Sequence, residues 1–223
     1  MKITLGTTYY ENPEYLYRFL NLHRGRVDEI IIVDDYSTKF PAEHLFNQED
    51  NVKLFKVNKD YGFNSHGCRN LIMNQARNDW VCLLDVDREF ASSGADIEKI
   101  YDQELDEANL YKFVVHVHKI GNCVHQSVND FLIHKNLFFS VGGYDEELQG
   151  FRFGDRQLFQ QISNFAKTKT LPEINILYTR NSSVTERDKV KKIPRKVLDL
   201  IESRIISPEP NKPNLLFDWE RVF

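Results

Sequence analysis

The stretch Trp80-Val81-Cys82-Leu83-Leu84-Asp85-Val86-Asp87 decides the fold, because an apolar run there ends abruptly in two carboxylates. Its length and low polarity indicate a buried parallel strand. Ligands of open α/β sheets bind beyond the carboxyl ends of the strands, where Asp85 and Asp87 stand. Residues at i and i+2 of an extended chain point the same way, so we expect both carboxylates to face one cavity.

A second strand ends in the same manner. The β-branched segment 29–33 is followed by Asp34 and Asp35, so two strands deliver acids to one edge of the sheet. Neighbouring carboxylates repel unless a cation lies beside them, and Mg²⁺ or Mn²⁺ prefers such oxygen ligands. A lone pair of acids is more often a solvated loop, but here the pattern is repeated.

The sequence around these acids alternates between strand and helix patterns. Asn12 and Pro13 mark the start of the first helix as its N-cap and first residue. The predicted order is strand 3–7, this helix, strand 29–33, strand 52–57, helix 68–77 and strand 80–84. Such alternation predicts a mainly parallel central sheet with helices on both faces, which is the α/β class.

Several segments together resemble a known family. Residues 3–16, residues 32–38, the Gly62 loop with Arg69-Asn70, and Asp85-Val86-Asp87 occur in the order seen in GT-A glycosyltransferases, especially family 2. Downstream, residues 129–135 and 141–147 resemble the acceptor-side segment of family 2 and of the β-1,4-galactosyltransferase type. Phe153-Gly154-Asp155-Arg156 stands where those families carry an acidic pair before a helix. The joint occurrence is far more specific than any one motif.

The resemblance implies a GT-A, nucleotide-diphospho-sugar transferase fold over residues 1–190. Residues 1–90 would bind the donor and residues 91–190 the acceptor. From residue 191 to 223 the chain reads as a basic and apolar tail that docks on the domain or on a partner. The implied activity is a metal-dependent hexosyl transfer, with inversion, from a nucleotide-diphosphate sugar to a hydroxyl of a saccharide or other acceptor.

The resemblance also implies roles for single residues on the donor side. Asp87 would contact Mn²⁺ or Mg²⁺ directly, and Asp85 would face the ribose or a metal-bound water. Asp35 would accept a hydrogen bond from the base N–H, for which uracil fits best, and Thr8 and Tyr10 would line the base pocket. Together these contacts would bind a UDP-sugar.

Five further positions belong to this expected site. Arg69 would bridge to Asp35 or Asp85 or meet phosphate oxygens, and a structural ion pair is an equal alternative. Asp155 is the candidate general base for the acceptor hydroxyl, with a helix N-cap as the alternative. Asp145 and Glu146 come next in line as the base. Thr185 stands where the galactosyltransferase type has a metal-binding histidine, which leaves the third metal ligand open.

Composition narrows the classes of protein. The chain of 223 residues is 41% hydrophobic and carries a net charge of −4 with mixed signs, which argues against nucleic-acid binding. Three cysteines without paired spacing, including the core residue Cys82, indicate a reducing compartment. Because no signal peptide or membrane span is evident, we expect a soluble, cytoplasmic protein; peripheral membrane contact and oligomerisation stay open.

Downstream of the acids, four local features are predicted from pattern and spacing. They are an amphipathic helix over 92–105 capped by Ser92 or Ser93, a strand over 110–118, a turn at Gly142-Gly143 and a helix over 156–165. His116 and His118 share one face of that strand, where metal ligation is the less favoured interpretation. The basic residues within 186–196 indicate a solvated face, with a cationic loop over a diphosphate as the alternative.

Two other classes of protein compete with a glycosyltransferase. A nucleotidyltransferase shares this kind of sheet but needs a glycine-rich, basic loop after the first strand, which residues 7–12 lack. A non-catalytic sugar- or nucleotide-binding protein that retains the fold is kept open by Thr185 and by Gly154, which replaces the first acid of the pair.

Overall fold

The computed structural model describes residues 1–117, 124–125, 129–151, 153–178, 193–210 and 215–223. The N-terminal elements follow the predicted alternation. They are β1 (Ile3–Tyr9), α1 (Pro13–His23), β2 (Glu29–Asp34), a 3-10 helix (Ala42–His44), β3 (Val52–Val57), α2 (Ser65–Gln75), β4 (Trp80–Leu83) and β5 (Arg88–Phe90). Helix α2 begins three residues earlier than its predicted start.

The remaining elements are less regular in their order. They are a 3-10 helix (Ala95–Asp102), β6 (Asn109–Val117), β7 (Val124–His125), β8 (Phe131–His134), α3 (Lys135–Ser140), a 3-10 helix (Glu146–Leu148), α4 (Gly154–Ser163), β9 (Lys167–Tyr178), α5 (Arg195–Ile206) and β10 (Trp219–Arg221). The predicted strand over 110–118 and helix over 156–165 are both present, each within two residues of its predicted start.

The described strands form one sheet in the order β10-β3-β2-β1-β4-β8-β6-β9-β5, with β7 paired to β6. Strands β3, β2, β1 and β4 run parallel. Beyond them β8 is antiparallel to both β4 and β6, and the edge strands β10 and β5 are also antiparallel to their neighbours. The predicted α/β class is confirmed, and the sheet is parallel in its N-terminal half and mixed beyond β4.

Alternating side chains of the central strands supply a hydrophobic cluster on each face of the sheet. On β2, Ile30 and Ile32 join the cluster that contains α1, whereas Ile31 and Val33 join the cluster that contains α2, α3 and α4. All four side chains are buried. A strand buried on both faces must be apolar throughout, which explains the continuous runs in the sequence.

The predicted helix over 92–105 is wrong in its extent and type. Ser92 and Ser93 have left-handed φ angles of 57° and 54°, and Gly94, at 89°, caps a 3-10 helix. Ile97 and Ile100 are the buried apolar residues of that helix, and their spacing of three suits three residues per turn. Neither serine is therefore an N-cap.

The C-terminal residues pack on the domain. Helix α5 contacts α4, and Asn164 donates a hydrogen bond to the carbonyl of Ile205 at 2.9 Å. Strand β10 adds an antiparallel edge to β3, and Phe217 is buried just before it. Among the described helices, none is long and apolar enough to span a lipid bilayer.

Candidate active site

The acids found in the sequence meet at one edge of the sheet because their strands are neighbours. Strand β1 lies between β2 and β4 and is parallel to both, so the carboxyl ends of the three strands are adjacent. Thr8 is half-buried near the end of β1, Asp35 follows β2, and Asp85 lies two residues beyond β4. This edge is where parallel α/β sheets place their ligands.

Asp85 and Asp87 do not continue an extended strand. The prediction that both carboxylates point the same way as residues i and i+2 of a strand is therefore wrong. Strand β4 ends at Leu83, and the amide of Arg88 donates to the carbonyl of Asp85 at 2.9 Å, which closes a turn. The turn places the two carboxylates in different surroundings.

The Asp85 carboxylate is held on both of its oxygens. Arg69 donates to Oδ1 at 2.5 Å and the Asn129 amide donates to Oδ2 at 3.0 Å. The backbone amide of Asp85 in turn donates to the buried carboxylate of Asp130 at 3.0 Å. Asp85 is thus a fixed acid, oriented by residues from α2 and from the segment before β8.

Asp87 is the more accessible acid of the pair. Its side chain is 32% exposed, and its nearest cation is Arg88, whose Nε lies 3.6 Å from Oδ1. Burial and then the charge of Asp85 raise the pKa of Asp87 to about 7, against the lowering effect of Arg88. Such a carboxylate is stabilised in its charged form by a further cation.

The carboxylate oxygens at this edge suit a hard divalent cation only if the substrate supplies further ligands. Within the described ranges, no three His, Cys, Asp or Glu side chains are grouped as a complete metal site. Mg²⁺ commonly takes one or two carboxylates and completes its shell with substrate phosphates and water. Asp87, with Asp85 beside it, fits that pattern.

Arg69 joins the two acids that the sequence placed on opposite sides of the cleft. Its guanidinium bonds Asp85 through Nη2 at 2.5 Å and Asp155 through Nη1 at 2.6 Å, and its side chain is 4% exposed. Burial disfavours the charged form, but the phenol and the two carboxylates around it raise the pKa of Arg69 above its usual value. The pairing with Asp85 is one of the predicted alternatives for Arg69, whereas a contact with phosphate stays a prediction.

Asp155 lies in the first turn of α4, and one of its two carboxylate oxygens is held by other side chains. Arg69 and the Tyr144 hydroxyl both donate to Oδ1, at 2.6 and 2.9 Å. Among the residues that the structure describes, none donates to Oδ2, and the side chain is 21% exposed. Burial raises the pKa of Asp155 above the usual aspartate range, with Arg69 opposing the shift.

The alternative role of Asp155 as an N-cap is wrong. The N-cap of α4 is Phe153, and Asp155 is the second helical residue. Its carboxylate bonds side chains of other elements, so the position is available for chemistry rather than used for capping.

Asp35 is buried at the end of β2 and tied to the start of α2. Its Oδ2 accepts from the backbone amide of Asn64 at 3.1 Å, and its own amide donates to the carbonyl of Tyr9 at 2.9 Å. Tyr10 follows β1 and is partly buried. The preceding acid, Asp34, accepts backbone bonds from the loop that follows it and is structural.

Asp145 and Glu146, the next candidates for the base, are engaged in structure. Asp145 pairs with Arg204 of α5. Glu146 accepts the backbone amides of Leu215 and Leu216 at 3.2 and 2.6 Å, which fastens the C-terminal segment to the domain. Both acids are buried and bonded to other parts of the protein, so neither is a good candidate for the general base.

The turn at Gly142-Gly143 is confirmed, with φ angles of 84° and 66°. It leads the chain to Tyr144, a site residue that sequence reasoning missed. Asn70 was quoted only as part of a motif, yet its side chain bonds both backbone groups of Tyr144, at 2.9 and 3.0 Å. The only signal for either residue was its place in a recognised segment.

Three predicted features lie wholly or partly outside the described residues. These are Thr185 with its possible role at the metal, His118, and the basic segment up to residue 192. His116 is described, and its Nε2 lies 2.8 Å from Oδ1 of Asn175, as expected for a hydrogen-bonded histidine.

The fold and this site define a GT-A type α/β domain. The family model "Glycosyl transferase family 2" matches residues 5–171, and the chain therefore belongs to that family. The β-1,4-galactosyltransferase likeness has no support among these matches. A search of curated proteins found no significant match.

Solved structures share the fold at low identity. The TarS fragment 1–349 of S. aureus matches with a TM-score of 0.66 at 18% identity, over 94% of this chain and 66% of its own. The mannosyltransferase PcManGT from Pyrobaculum calidifontis, solved with GDP-Man and Mn²⁺, matches with a TM-score of 0.64 at 11% identity, over 92% of this chain and 69% of its own. This chain thus spans about two thirds of the length of these relatives.

Proposed function

We propose that this protein transfers a sugar, with inversion, from a nucleotide-diphosphate donor to a hydroxyl of a saccharide or other acceptor. The observation that carries the proposal is the buried Arg69 guanidinium, which links Asp85 on the donor side to Asp155 on the acceptor side. Family membership supports the reaction class. Residues 1–190 would form the transferase domain, and residues 191–223 its tail.

The donor would lie across the ends of β1, β2 and β4. Asp35 would accept from a base N–H, with Thr8 and Tyr10 lining the base pocket and Asp85 facing the ribose. Asp87 would hold Mn²⁺ or Mg²⁺, and the metal when bound would neutralise charge on the departing diphosphate. The relative solved with GDP-Man and Mn²⁺ supports a divalent metal but leaves the base open between uracil and guanine. We favour UDP.

Asp155 would act as the general base. Arg69 and Tyr144 fix its Oδ1, so Oδ2 would receive the proton of the acceptor hydroxyl as that oxygen attacks the anomeric carbon. The pKa raised by burial makes this carboxylate a stronger base than an exposed aspartate. Attack from the face opposite the leaving diphosphate gives inversion.

The test is turnover of a panel of UDP- and GDP-sugars with Mn²⁺ or Mg²⁺, with and without saccharide acceptors. We expect one donor class to be consumed only when metal is present. Asp155→Asn should lower kcat by roughly 10²- to 10⁴-fold with donor binding retained. Asp145→Asn is the matched control, because that acid is paired with Arg204 and should affect stability more than kcat.

The panel also separates the competing classes. A protein that binds a nucleotide-sugar in a thermal-shift assay but never consumes it would be a binding protein that retains the fold. Wild-type turnover by Asp155→Asn would reject the assignment of the base. Cytoplasmic location is also part of the proposal, and it rests on three cysteines without paired spacing.

A further inference from the structure

One face of helix α2 organises the acceptor-side residues of the site. His66, Arg69 and Asn70 stand at i, i+3 and i+4, so their side chains project from the same side of the helix. Arg69 reaches Asp155, and Asn70 holds the backbone of Tyr144. His66 is the member of this face to which the proposed reaction gives no role.

The His66 imidazole contacts the first residue of α4. Its Nε2 accepts the backbone N–H of Gly154 at 3.1 Å, and the ring is buried. The first amides of a helix lack partners within the helix, and the N-cap residue Phe153 supplies no side-chain acceptor. His66 therefore caps α4 from a different helix, 88 residues away in the sequence.

The lack of a side chain at Gly154 makes room for this contact. A Cβ added there would lie 2.1 Å from Cδ2 and 2.4 Å from Nε2 of His66, far closer than real side-chain atoms approach. The histidine ring thus occupies the space that any larger residue at 154 would need. This gives a physical reason for the glycine that stands beside Asp155.

The bond requires a neutral imidazole, because only the unprotonated Nε2 can accept. Burial and the neighbouring Arg69 charge lower the pKa of His66 to about 3. The ring is therefore neutral near neutral pH, so protonation does not break the contact there.

We propose that His66 is a positioning residue, which holds the first turn of α4 so that Oδ2 of Asp155 points at the acceptor hydroxyl. The role rests on the proposed function of Asp155 as the base. Misplacing a reacting group by about 1 Å costs up to roughly 100-fold in rate, so a cap on the adjacent residue bears directly on catalysis.

The central variant is His66→Phe, which keeps an aromatic ring and removes the acceptor. We expect kcat to fall by roughly 10- to 100-fold with the dissociation constant of the donor unchanged within about twofold. His66→Gln places an amide oxygen near the Nε2 position and should retain more of kcat than His66→Phe does. Gly154→Ala keeps the acceptor but forces the ring aside, and it should lower kcat in the same way.

The structure offers a matched control in His134. Its Nδ1 also caps a helix, by accepting a hydrogen bond from the backbone amide of Asn136 at 3.2 Å. His134 pairs with Trp80, the first residue of β4, and therefore lies at the end of that strand opposite to the site. His134→Phe removes a cap of the same kind and should leave kcat unchanged. A fall in kcat equal to that of His66→Phe would overturn the proposal, because it would reflect general loss of order.

A measurement without substrate separates this proposal from the proposed function. In protein labelled with ¹⁵N at its ten glycines, the Gly154 amide should exchange slowly in wild type and in His134→Phe, and fast in His66→Phe. Equal exchange in all three proteins would overturn the cap, and unchanged kcat in His66→Phe would overturn the positioning role. A wild-type protein that transfers no sugar would instead reject the proposed function, whatever the exchange data show.

Discussion

Replacing Arg69 by Met should destabilise the fold in a way that depends on pH. The guanidinium is the shared partner of Asp85 and Asp155, at 2.5 and 2.6 Å, and Met removes its charge while keeping an unbranched side chain. Breaking a buried pair by removing one partner costs about 3–5 kcal/mol. The two acids keep 24% and 21% of their side-chain surface exposed, so we expect the lower end, about 3 kcal/mol at pH 8.

The sign of the pH dependence follows from Asp155. Burial already raises its pKa with Arg69 opposing, so loss of Arg69 must raise it further above the unfolded value. A carboxyl with a raised folded pKa is destabilising when charged, and that cost is relieved as the pH falls through the folded pKa. The stability gap between wild type and Arg69→Met should therefore narrow from pH 8 to pH 5. The narrowing is about 1.4 kcal/mol for each unit by which the pKa of Asp155 in the variant exceeds both 5 and its wild-type value.

Urea unfolding of both proteins at the two pH values measures this gap. The control is Arg18→Met, since Arg18 bonds Glu89 through two contacts of 2.6 Å but is 53% exposed. An exposed pair contributes about 1 kcal/mol or less, with little change over this pH range. A loss below about 1 kcal/mol for Arg69→Met at pH 8, or a gap that does not narrow at pH 5, would refute the reasoning.

Two further predictions concern the donor. Asp87→Ala should abolish the metal-dependent rise in melting temperature produced by UDP and leave the unliganded fold intact, because removing one of two close acids relieves repulsion; retained metal-dependent binding would remove Asp87 from the metal site. Asp35→Asn replaces an acceptor-only carboxylate by an amide and should weaken UDP binding by about 1–3 kcal/mol in calorimetry. Equal affinity in that experiment would mean that Asp35 does not read the base.

Local pattern was enough to predict the N-terminal half of the fold. The apolar runs before Asp35 and Asp85 had the length and composition of strands buried on both faces, and the intervening helices showed in their caps and spacing. The edge at which acids gather followed from strand polarity alone. These features depend on residues close in sequence, where backbone geometry and periodicity dominate.

The sequence by itself thus determined which strands end in acids and on which edge of the sheet those acids lie. Only the tertiary structure decided that Arg69 bonds Asp85 and Asp155, 16 and 86 residues away, that Asp145 and Glu146 are used to fasten α5 and the C-terminal segment, and that His66 caps α4. Each of these contacts joins different elements, so its partners depend on how the helices pack on the sheet. The periodicity that forms a helix fixes which of its faces is buried, whereas the side chain met by that face is set by packing across the whole domain.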